Sequence, residues 1–98
     1  MFGGNMRIPT AKQYPASVSI RGETYKILFV KNLDCLGETN WEDKTIKIRA
    51  GMSKNETFRT FIHESLHAIE FDWPVNLKHK TVYKLEKAIF QFLLDNFL

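Results

Sequence analysis

At 98 residues the chain has room for one domain and no second. Its 44% hydrophobic and 26% charged residues suit an ordinary globular protein, and a solvated surface accounts for the net charge of +3, so nucleic-acid binding ranks below that explanation. A single cysteine, Cys35, excludes an internal disulfide, no run is apolar for long enough to span a bilayer, and the segment 1–10, with Gly3 and Gly4, lacks the apolar core of a signal peptide; a cytoplasmic location is the default expectation.

Residues 1–16 hold Gly3, Gly4, Pro9 and Pro15 and read as a loose lead-in to a single domain over 17–98. Val18 and Ile20 alternate with polar residues up to Arg21-Gly22-Glu23, and Tyr25, Ile27 and Phe29 continue the alternation beyond it, so 17–31 predicts a hairpin. A second extended pair follows, 35–41 and 45–49, joined by a polar turn at Glu42-Asp43-Lys44. Ile46 and Ile48 share one face of the later strand, while Thr45, Lys47 and Arg49 on the other suggest an exposed edge. Gly51 closes the sheet region. Ser53-Lys54-Asn55-Glu56 has the form of a capping box. The helix it opens is predicted to run to about Asp72, stop before Pro74 and carry the stripe Phe58, Phe61, Ile62, Leu66 and Ile69. A last helix from about Leu77 buries Val82, Leu85, Ile89, Leu93 and Phe97. The expected class is α+β: a small, mainly antiparallel sheet of three to four strands, then two long helices.

The chemistry lies in His63-Glu64-Ser65-Leu66-His67, an H-E-x-x-H sequence within the first helix. Four residues advance a helix about 6 Å and bring it a little past one full turn. Two imidazoles so spaced point the same way and can share one zinc ion, which takes imidazole nitrogen at about 2.0–2.1 Å. Glu64 lies about 100° further round, out of place as a ligand but placed to take a proton from water as general base.

A catalytic zinc takes a third protein ligand and leaves a position open. Glu70, seven residues after His63, lies about 10 Å along the axis; it is either an acceptor behind a ligand or a solvated acid. His79 stands between Lys78 and Lys80, a local field that opposes a cation, and reads first as a surface histidine. Glu86 falls on the stripe Val82, Glu86, Ile89, Leu93. A buried carboxylate is costly unless paired or bound to metal, so Glu86 is the favoured third ligand, with an Arg or Lys partner as the other explanation. Tyr83, one turn earlier, is a half-buried aromatic or a hydrogen-bond donor to a developing oxyanion. Cys35 reads as a small buried apolar residue before it reads as an inhibitory thiolate.

The H-E-x-x-H followed by an acid on the next helix resembles the gluzincin clan of zinc peptidases. A strand pair, then T-F-I-H-E-S-L-H-A-I-E, then Y-K-L-E-K-A-I-F-Q-F-L-L-D-N, looks like the minimal gluzincins and the small zincin-like proteins of phages and mobile elements, including the ImmA/IrrE-type metallo-endopeptidases. The likeness covers about residues 36–97. It implies a zincin-like domain with one zinc ion on His63, His67 and Glu86, Glu64 as general base and acid, and a peptide or protein substrate paired along an edge strand, here 45–49. The metzincin pattern is absent, since position 70 is Glu and position 73 is Trp. Two other functions compete: a zinc-stabilised, catalytically weak or latent binding module, and a nucleic-acid surface built from Lys78, Lys80, Lys84 and Lys87. No membrane partner is expected, and substrate identity and oligomeric state are not written in the sequence.

Overall fold

The structure, a computed structural model, describes residues 7–73 and 77–97. Four strands, β1 (Ser17–Ile20), β2 (Glu23–Val30), β3 (Gly37–Asn40) and β4 (Thr45–Arg49), precede two helices, α1 (Lys54–Asp72) and α2 (His79–Asn96). The class is α+β, as expected. β1 and β2 form the expected hairpin, turning at Arg21 and Gly22, which both have positive φ. That pair of left-handed residues matches the twist of the flanking strands.

The sheet is mixed. Its order is β1-β2-β4-β3, with β4 parallel to β2 and antiparallel to β3. Two of its three pairings are antiparallel, as expected, and the β2–β4 pair is parallel. One expectation is corrected here: 45–49 is not an edge. β4 is hydrogen-bonded on both sides, and β3 is an edge, packed against α1. The polar residues Thr45, Lys47 and Arg49 misled because alternation reports which face of a strand is wet. It does not report whether the strand's own N–H and C=O groups are paired.

Ile20, Tyr25, Ile27, Ile46 and Ile48 from one sheet face meet Ala68 of α1 in the core. Tyr25, Ile46, Ile48 and Ala68 are fully buried, and each large apolar side chain so placed contributes about 1.5–3 kcal/mol relative to exposure. Ala68 lets the helix backbone come close to the isoleucines. Tyr25 donates from its hydroxyl to Asp72 Oδ2 at 3.3 Å, and Arg21 Nη1 donates to the Asp72 carbonyl at 2.7 Å. The hairpin thus holds the C-terminal turn of α1, where a cation is favoured. Burial first, then the Asp72 charge, pushes the Tyr25 phenol up to about 12.

The lead-in is anchored in part. Tyr14 packs edge-on against Phe29 and Phe61, at 5.5 and 5.3 Å between ring centroids, and burial pushes its phenol up to about 12. At the start of α1, Ser53 Oγ accepts from the Glu56 amide and donates to the Glu56 carboxylate, both at 3.2 Å. The Glu56 side chain thus meets the serine hydroxyl, not the Ser53 amide of a full capping box. α1 ends at Asp72, and Pro74 lies outside the described residues. Its buried face is unusual: Thr57, Thr60, His63 and Glu64 accompany Ile62 and Ala68, while Ile69 is exposed. In α2, Val82 is fully buried and Glu86 is 6% exposed. Polar groups therefore fill much of the seam between the helices, which a packing role alone would give to leucines.

Candidate metal centre

His63 and His67 bring their Nε2 atoms to 3.2 Å from each other. Two nitrogens on one tetrahedral zinc stand about 3.3 Å apart, from bonds of about 2.0–2.1 Å. Each ring is held from behind. Nδ1 of His63 lies 3.1 Å from Glu86 Oε1, and Nδ1 of His67 lies 3.3 Å from Glu70 Oε1. An ionised carboxylate only accepts hydrogen bonds, so each Nδ1 is the N–H donor and a neutral ring then presents its Nε2 lone pair. Two such lone pairs aimed at each other repel unless an electrophile, a metal ion or a proton, sits between them. The donor set therefore fits a cation.

His79 completes the cluster. One ligand atom from each of His63, His67 and His79 lies within 4.8 Å of the others, and the His79 ring stands 5.0 Å from that of His67 and 5.7 Å from that of His63. Three histidines are thus close enough to bind one metal ion. This differs from the expected ligand set. Glu86 faces the Nδ1 edge of His63, and its second oxygen accepts from Arg59 Nε at 2.9 Å. It has the cationic partner that the sequence left open, and it stands behind the His63 ring as carboxylates stand behind metal-bound imidazoles. The lysines beside His79 do not exclude it: Lys78 caps α2, and both Lys78 and Lys80 are exposed to water, where their fields are screened.

Glu70 is the acceptor behind His67, and its other oxygen accepts from the Leu77 amide at 3.0 Å. One carboxylate thereby orients a ring on α1 and fixes the chain two residues before His79. Glu64 is 7% exposed and is held from the sheet. Thr39 Oγ1 stands 2.7 Å from Glu64 Oε1 and 2.9 Å from the Glu64 carbonyl; its one proton favours the carboxylate. Trp41 Nε1 donates to the His67 carbonyl at 3.1 Å. So β3 is stitched to the helix that carries the motif.

Gly37 permits this approach. A Cβ there would stand 2.7 Å from Thr60 Cγ2, 2.8 Å from Glu64 Cγ and 3.0 Å from Glu64 Oε2. Gly37→Ala is expected to push β3 off α1 and lower the unfolding free energy by about 1–3 kcal/mol. Urea titration of parent and variant checks this, and equal midpoints would mean that the strand gives way freely.

The three histidines, Glu64, Glu86, Thr60 and Gly37 line one cleft of about 600 Å³ together with Cys35, Leu36, Glu56, Arg59 and Tyr83. Tyr83 is more than half exposed, with its ring 4.8 Å from that of His63 and 5.7 Å from that of His79. Cys35, expected to be buried, is exposed at the rim, its Sγ 3.1 Å from the Gly37 carbonyl. Arg59, Glu70, Thr39 and Gly37 form the surroundings of the site. Arg59 was legible as the residue one turn before His63, and Glu70 as the residue three after His67. Thr39 and Gly37 carried no such signal. Among the described residues no helix is long and apolar enough to cross a membrane. No family model, no curated protein and no solved structure matches the chain.

Proposed function

We propose that the chain is a zinc-dependent hydrolase of peptide bonds, working in the cytoplasm and built on the zincin plan of an H-E-x-x-H helix beside an edge strand. The observation that carries this reading is the opposed pair of Nε2 atoms, 3.2 Å apart and each backed by a carboxylate, with a glutamate from the same helix turn in the same cleft. His63, His67 and His79 would hold the ion. Bound there, zinc would polarise a carbonyl and make water more acidic. The triple-histidine set takes the place of the acid ligand of the gluzincin pattern, and Glu86 and Glu70 fix the tautomers of His63 and His67.

Glu64 does the proton work. Thr39 holds Oε1, which leaves Oε2 to accept a proton from the attacking water. The same carboxylic acid then hands that proton to the leaving amine. A carboxylate buried this deeply needs a fixed donor, and Thr39 supplies one without using both oxygens. The main chain of the substrate adds to β3, the edge strand that is tied to the motif helix through Thr39 and Trp41.

The test combines metal analysis with cleavage of a mixed peptide library. The parent protein is expected to contain about one zinc per chain, to cleave peptides, to lose cleavage to a strong chelator and to regain it when zinc is returned. Protein that takes up no transition metal would end this reading. Protein that binds zinc, unfolds on chelation and cleaves nothing would assign the centre to stability alone.

A further inference from the structure

We propose that the Arg59 guanidinium recognises a carboxylate on the leaving-amine side of the bound peptide, about two residues beyond the bond that is cut. This rests on the peptidase reading above and names the substrate class of the same cleft. Arg59 sits four residues before His63 on α1 and lines the cleft. Its Nε donates to Glu86, yet the side chain is 40% exposed, and its Nη groups make no hydrogen bond among the described residues. Arginine has five N–H donors in a planar fork. One is used to hold the carboxylate behind His63; the guanidinium also stands 6.0 Å from the centroid of the Phe90 ring, and its terminal donors are left for a second carboxylate in the cleft that Arg59 lines.

Chain direction decides which end of a peptide reaches it. Gly37 lies against Thr60 and Glu64, Thr39 Oγ1 donates to the Glu64 carboxylate, and Trp41 Nε1 donates to the His67 carbonyl. β3 therefore advances in the same direction as α1. A strand added antiparallel to β3, the somewhat stronger pairing, runs against α1. Its C-terminal half then points toward the early turns of the helix, where Arg59 stands. Four helical residues span about 6 Å, and a strand covers that distance in about two residues at about 3.3 Å each. The carboxylate at that position is either the free C-terminus of a departing dipeptide or an acidic side chain. Both use the same fork.

The probes are hydroxamates, which anchor on the metal without being cleaved, carrying two alanines downstream as the free acid or the terminal amide. Calorimetry on the zinc-loaded parent is expected to show about 10- to 100-fold tighter binding of the free acid. An amide with Asp rather than Asn at the second downstream position tests the side-chain source: a preference for Asp shows that a side chain also fits, and none restricts the seat to chain ends. Arg59→Gln is expected to abolish the acid-over-amide ratio and Arg59→Lys to keep part of it. Because Arg59 also holds Glu86, only the ratio within each protein is compared, which cancels a general weakening of the metal site. Equal binding of acid and amide together with equal binding of Asp and Asn, a preference that survives Arg59→Gln, or no binding of any hydroxamate would overturn the proposal. A parent that prefers the acid but hydrolyses no peptide would sink only the peptidase reading; cleavage without carboxylate preference would sink only this one.

Discussion

Glu64→Gln is expected to leave zinc content unchanged and to lower peptide hydrolysis by about 10²- to 10⁴-fold, the usual range for loss of a general base. The substitution nearly preserves shape, and the amide oxygen can still accept from Thr39, so β3 keeps its place on α1. What is lost is an oxygen able to take and return a proton. Parallel metal analysis, thermal melting and turnover measurements separate the effects. A variant that cleaves as fast as the parent would remove Glu64 from the mechanism. A variant that loses zinc as well would show that Glu64 supports the centre rather than the chemistry.

The second large effect concerns the third ligand. His79→Ala removes one of three nitrogens, whereas Glu86→Gln removes the charge behind His63 but keeps an oxygen for its Nδ1–H. Loss of an acceptor behind a ligand costs about 10- to 100-fold in metal affinity. Glu86→Gln is expected within that range, and His79→Ala is expected to exceed it. Competition with a chromogenic chelator measures both. The opposite order, with His79→Ala near the parent and Glu86→Gln the more severe, would restore Glu86 as the ligand. Because bound metal stabilises the fold by mass action, the thermal midpoints should follow the same order when zinc is in excess. Without zinc, Glu86→Gln should also cost stability, since Arg59 loses an ionised partner and a broken part-buried pair leaves a charge uncompensated.

Part of the centre follows from local periodicity. His63 and His67 share a helix face because four residues nearly close one turn, and Glu64 falls beside them for the same reason. The capping serine, the Arg21-Gly22 turn and the alternation of Ile46 and Ile48 are local in the same way, and each stands where its spacing put it. Glu86 shows where this logic stops. Its place on an apolar stripe implied a buried acid with a cationic partner, and it is buried with one. Whether that partner was the metal or Arg59 depended on the rotation and depth of α2 against α1, which no periodicity within α2 encodes. For His79, sequence neighbours gave the wrong sign: Lys78 and Lys80 dominate the string of letters, but in the fold they lie in water while the ring turns to α1.

The sequence by itself determined the elements, the pairing of the two motif histidines, the place of Glu64 beside them and the burial of Glu86, because each depends on residues within one or two turns of a single element. Only the tertiary structure decided that β4 lies inside the sheet and β3 at its edge, that Gly37 and Thr39 lie against Glu64, and that His79 rather than Glu86 joins the imidazole cluster. These depend on strand order and on the docking of one element against another, and such contacts are fixed by the packing of the whole core, not by any local spacing.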